Sequence, residues 1–132
     1  MQTARERLGE ASFPHACGAY VVFDPARKDP PLYVGVAATQ TIDERWRRQH
    51  LRSRAGGSAL RRTLGVHLGL VERKLTIRTD ERFYPPEVEA AITAFLLKCE
   101  IAFVVADSPE DARRIETDLI RTLRPALNVK RS

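Results

Sequence analysis

Cysteine and histidine are both scarce in this 132-residue chain. The two cysteines, Cys17 and Cys99, form no Cys-x-x-Cys pair, and His15, His50 and His67 are scattered. A disulfide-stapled miniprotein and a zinc-finger spacing are therefore excluded, and reduced, partly buried thiols are expected. No apolar run approaches the roughly 18 residues that cross a membrane. The opening stretch, residues 1–7, lacks the apolar core of a secretory signal, so a cytoplasmic location is expected. There is no internal repeat and no low-complexity tract. With 43% hydrophobic and 30% charged residues the chain is neither disordered nor membrane-embedded. A peripheral N-terminal segment (1–14) and one domain (15–132) are expected, with no second domain.

Acids are missing from one long stretch. From Arg45 to Arg62 there are seven arginines, Arg45, Arg47, Arg48, Arg52, Arg54, Arg61 and Arg62, with no Asp or Glu between them. The net charge of +5 is thus concentrated in the middle of the chain. Such a block favours a polyanion through counterion release, and arginine rather than lysine suits bidentate phosphate contacts. Arg47, Arg48, Arg52, Arg54, Arg61 and Arg62 are the nucleic-acid-binding candidates. A solvated basic face is the plainer reading.

Strands are expected over Gly18–Phe23, Leu32–Ala37 and Ile101–Ala106, where β-branched and aromatic residues cluster. The first two, joined through a proline-rich turn (24–31), should form an antiparallel hairpin. Thr41-Ile-Asp-Glu44 is a capping-box pattern that starts a helix running to about Leu51. Ser58 caps a second helix, Pro85-Pro86 opens a third, and Ser108-Pro109-Glu110-Asp111 opens a fourth that stops at Pro125. Residues 74–78 read as a short extended piece. The order β-β-α-α-α-β-α gives an α+β class: a small, mainly antiparallel three-stranded sheet flanked by helices.

Alternation along the hairpin aims Tyr20 and Tyr33 at one side, with Gly35 leaving the surface beside them bare for a phosphate or backbone. A cross-strand tyrosine pair is the plainer alternative. On the first helix Ile42, Trp46 and His50 share the apolar stripe, and Arg45, Gln49 and Arg52 form a polar line beside it. Trp46 reads as core, and His50 as packed or hydrogen-bonded. On the last helix Glu116 falls within the stripe of Ala112, Leu119, Ile120 and Leu123. A carboxylate there needs compensation, from an arginine such as Arg45 or from a divalent cation.

Taken together, Gly18-Ala-Tyr20, Tyr33-Val-Gly35, the helix Arg45-Trp-Arg-Arg-Gln-His50, Glu116-Thr-Asp-Leu-Ile120, Pro125 and Asn128 resemble the GIY-YIG nuclease superfamily. Ser58-Ala-Leu-Arg-Arg-Thr-Leu-Gly65 looks like a segment of its small stand-alone bacterial members. The resemblance runs from Cys17 to the C-terminus. It implies metal-dependent endonucleolytic hydrolysis of a nucleic acid, with DNA the first expectation. Glu116 would hold Mg²⁺ or Mn²⁺, Tyr33 or Tyr20 would position or deprotonate the water, and Arg45 would steady the developing charge. His50 would lie near the active surface, Asn128 would organise the site by hydrogen bonds, and Gly18 and Gly35 would be structural. Three departures stand out. Ala19 replaces a larger aliphatic residue, and Val36-Ala37 stands where a basic residue is common. The Arg45-to-His50 gap is one residue longer than expected, so Arg47 competes with Arg45. A non-catalytic nucleic-acid-binding module on the same scaffold is the alternative function, and a basic protein-interaction domain the third.

Overall fold

The computed structural model describes residues 5–27, 29–55, 58–75 and 83–128. Four strands and four helices follow in the order β1 (Glu6–Arg7), β2 (Gly18–Phe23), β3 (Tyr33–Ala37), α1 (Ile42–Arg45), α2 (Ala59–His67), α3 (Pro86–Lys98), β4 (Glu100–Val105) and α4 (Pro109–Leu123). The extended piece expected at 74–78 falls mostly outside the described residues.

All strand pairs are antiparallel, in the sheet order β1-β4-β2-β3. The three-stranded expectation is corrected to four. The added strand is two residues long and wholly charged, Glu6 and Arg7 pairing with Ile101 and Glu100. Neither residue has the apolar alternation that marks a strand in a sequence. The same N-terminal stretch seats Leu8 in the core, and Phe13 stacks on Trp46 with ring centroids 5.7 Å apart.

Both faces of the sheet are covered. One face presents Tyr20, Val22, Tyr33, Ile101 and Phe103 to the core beneath α1, α2 and α3. The other presents Val21, Phe23, Val34 and Ala102 to Leu119, Ile120 and Leu123 of α4. This follows from the period of two along a strand, with apolar residues at both phases. All six residues of β2 are buried as a result.

Helix starts obey local chemistry. Thr41 and Glu44 form the reciprocal capping box, Ser58 Oγ accepts from Arg61 N, and Ser108 Oγ accepts from Asp111 N ahead of Pro109. Beyond Arg45 the helix changes gauge: Trp46–His50 is a π-helical turn, closed by Leu51 N–H donating to Trp46 O at 2.9 Å. A π turn takes one extra residue per turn. Within it Trp46 and His50 are both buried, each with its ring edge to Tyr20 of the hairpin.

Candidate active site

Tyr20 lies opposite Gly35 in the β2–β3 register, and Val22 lies opposite Tyr33. The two tyrosines are thus diagonal neighbours on one face, with ring centroids 6.5 Å apart. Gly35 does not leave bare surface as expected. Its missing side chain is filled by the Tyr20 ring, since a Cβ there would lie 2.5 Å from the phenol oxygen. Gly18 is needed for a similar reason: a Cβ would run into the Val104 carbonyl oxygen.

His50 and Trp46 reach this face from the π turn. His50 Nε2 is 2.5 Å from the Tyr20 hydroxyl, and His50 Nδ1 is 2.7 Å from Ser58 Oγ. Tyr20 and His50 are both fully buried, whereas Tyr33 keeps 8% of its surface exposed. Burial pushes the Tyr20 phenol well above its ordinary value, and the charge of Glu116 pushes the same way, against the pull of Arg45. Arg45 is half-buried, and among the described residues its Nε is sealed without a hydrogen-bond partner. Glu116 approaches from α4, which packs on β2 and β3. It is half-buried and lines an open hollow of about 290 Å³ with Thr117, Ile120 and Arg121. The acid is therefore not sealed in the interior.

Asn128 stands apart from this cluster. Its side-chain Oδ1 accepts from Val34 N at 2.8 Å and its Nδ2 donates to Val34 O at 2.7 Å. The amide thereby pins the backbone between Tyr33 and Gly35. Arg47 is exposed and paired with Asp43 at 2.8 Å. Arg48 and Arg52 are exposed, while Arg54 and Arg62 are half-buried.

Arg61 departs from expectation. Its side chain is 0% exposed and paired with Glu89 at 2.8 Å, so it does not belong to a nucleic-acid surface. Its guanidinium also donates to His50 O, Thr93 Oγ1 and Glu89 O. Sequence reasoning missed both Glu89 and the Ser58–His50 bond. Glu89 shares the apolar stripe of Ile92 and Leu96, the signal that singled out Glu116.

His50 predicts a pH dependence of stability. Burial, then the charges of Arg45 and Arg61, hold the imidazole well below its ordinary value of 6.5. Tyr20, Tyr33 and Trp46 close its other sides. A histidine depressed in the fold binds its proton more readily when unfolded, so its contribution is complete above the unfolded value and shrinks as pH falls below it. Between pH 7.5 and 5.5 the loss should approach about 1.4 kcal/mol per pH unit once below 6.5. Urea melts at several pH values check this. His50→Gln should flatten that segment, and an unchanged slope would show that His50 is not the group responsible.

Fold and site together define a small α+β domain in which two tyrosines of a hairpin, a histidine and an arginine converge on one face of the sheet, while α4, which carries Glu116, packs on the other. The chain belongs to the GIY-YIG family, a family of nucleases: the model described as GIY-YIG catalytic domain matches residues 14–132. The comparisons with curated proteins and with solved structures give no match. Among the described residues no helix is long and apolar enough to cross a membrane.

Proposed function

We propose that the chain is a metal-dependent endonuclease acting on DNA. The observation that carries this reading is the gathering of Tyr20, Tyr33 and His50 on one face of the hairpin with the half-buried Arg45 beside Tyr20. A guanidinium held there can donate charge-assisted hydrogen bonds to a phosphate.

The donor set suits a hard divalent cation held lightly. Among the described residues no three His, Cys, Asp or Glu side chains gather as a closed metal cage. Mg²⁺ characteristically binds through one or two carboxylates, waters and substrate phosphates, so Glu116 in an open hollow fits it. When bound, such an ion supplies charge that offsets the negative charge developing on the phosphate.

The chain's own residues divide the remaining work. Tyr33, the more accessible phenol, is the better candidate to take the proton of the attacking water. Tyr20 is sealed and pushed toward its neutral form, so it serves as a positioning residue. It packs on Gly35 and is held by His50. Arg45 donates to the phosphate oxygens, where charge builds as the water oxygen bonds to phosphorus and a bridging oxygen departs. Asn128 positions Tyr33 through the Val34 backbone. Arg47, Arg48, Arg52 and Arg54 hold the flanking backbone.

Cleavage of plasmid, branched DNA and RNA with Mg²⁺ or Mn²⁺ tests the reading. Cut product that EDTA abolishes is expected with DNA. Salt-sensitive binding with no product under either metal would leave a non-catalytic binding module in its place.

A further inference from the structure

Regular helical spacing would put Arg45, Gln49 and Arg52 on one line, but the π turn ends at His50 and Arg52 lies beyond it. Gln49 and Arg52 line a second hollow of about 340 Å³, together with Gln40, Arg48 and Arg54. That volume lies at the lower end of ligand sites, about 300–1,000 Å³. Its walls carry three guanidinium groups and two amides. The amides are already oriented, Gln40 Nε2 donating to Gln49 Oε1 at 3.3 Å. Among the described residues this leaves the Gln49 amino group and the Gln40 carbonyl as an open donor and acceptor. Arg54 Nε is sealed without a partner among the described residues. The Arg54 guanidinium lies 5.9 Å from the ring centre of Phe83, which is 59% exposed.

Anion donors, a donor–acceptor amide edge and a solvent-facing aromatic ring are three different chemistries. Duplex backbone alone would use the first. An unpaired nucleotide uses all three: phosphate on arginine, base edge on amide, base face on an aromatic ring. Arg48 and Gln49 follow Arg45 within one turn of the chain, so the hollow adjoins Arg45 along the sequence.

We propose that the hollow of Gln40, Arg48, Gln49, Arg52 and Arg54, with Phe83 at its side, binds one unpaired nucleotide, and that the substrate carries a single-stranded stretch beside the cut. The inference rests on the nuclease reading for its biological sense, but not for its test. Arg48, Arg52 and Arg54 take the phosphates, Gln40 and Gln49 meet the base edge, and Phe83 stacks on its face.

Binding is measured without metal, in EDTA, by fluorescence anisotropy of a labelled oligonucleotide of about 15 nucleotides, a length suited to single-strand sites. It is run as deoxy strand, as ribo strand and as blunt DNA duplex. The native protein is expected to prefer a single strand, deoxy or ribo, over the duplex. Phe83→Ala should weaken single-strand binding roughly 5- to 100-fold, the cost of one lost base stack, and so erase the preference. Phe83→Tyr, which keeps an aromatic face, should retain it, and Gln49→Ala should reduce it. The proposal is overturned if the native protein prefers duplex, or if Phe83→Ala weakens both forms equally or neither. Single-strand binding that depends on Phe83, in a protein that cuts nothing, would remove the hydrolytic reading and the stretch beside the cut, and leave the nucleotide site standing.

Discussion

Replacing Glu116 by glutamine is expected to slow metal-dependent DNA cleavage by about two to four orders of magnitude, the worth of several kcal/mol of charge stabilisation. Glutamine keeps the size and hydrogen-bonding capacity of the side chain but cannot offer an anionic oxygen to a cation. The half-buried position of Glu116 means that the substitution leaves no large cavity, so folding should survive. Loss of a negative charge beside a basic surface should leave nucleic-acid affinity intact or slightly higher. Product formation and filter binding, measured on one preparation, separate the two effects. If the Glu116→Gln variant cuts within about tenfold of the native rate, an interaction worth under about 1.4 kcal/mol is all that was lost, and Glu116 is no metal ligand.

Glu89→Ala is expected to cost about 3–5 kcal/mol of stability, the penalty for leaving one partner of a buried ion pair uncompensated. The Glu89 carboxylate accepts from Arg61 Nε and Nη2, from Ala55 N at 2.8 Å and from Tyr84 N at 2.9 Å. Removing it strands a sealed guanidinium and two backbone N–H groups together. Because Arg61 Nη1 also holds the His50 carbonyl at 3.1 Å, the damage should spread to the π turn. The double variant Arg61→Met with Glu89→Leu should recover much of the loss, since it abandons both charges at once. Urea midpoints of the single and double variants decide the matter. A loss below about 1 kcal/mol for Glu89→Ala would mean the pair is solvated as a surface pair is.

Glu89 and Glu116 show where the sequence stops being legible. Each carboxylate sits on the apolar stripe of its helix, and helical spacing flags both equally. What separates them is the packing of α2 against α3, which lays Arg61 on Glu89. No local pattern announces that Arg61, inside a block of seven arginines, is the one turned inward. The helix starts were legible because capping is a matter of a few adjacent residues. The hairpin was legible from its β-branched run, but the covering of its second face was not, because that depends on where α4 folds back. The π turn was not legible, because an apolar stripe of Ile42, Trp46 and His50 reads as an ordinary α-helix. The convergence of Tyr20, Tyr33, Arg45 and His50 rests on strand alternation plus that turn, so the residues could be named but not their contacts. The Ser58 bond to His50 was hidden because capping already explained Ser58.

Asn128 carries a consequence beyond the site. β3 is the last strand on its side of the sheet, and at Val34 its outward N–H and carbonyl are taken by the Asn128 amide. Ala126 N–H and Leu127 N–H donate to Pro31 O and Leu32 O, so the chain after α4 runs as a selvage along this border. The opposite border is finished by two charged residues, Glu6 and Arg7. Strand-to-strand adhesion between molecules is thus discouraged along β3 and at the Glu100–Ile101 end of β4. Cutting the chain before Ala126 would unhem the tyrosine side and turn it into a sticky seam.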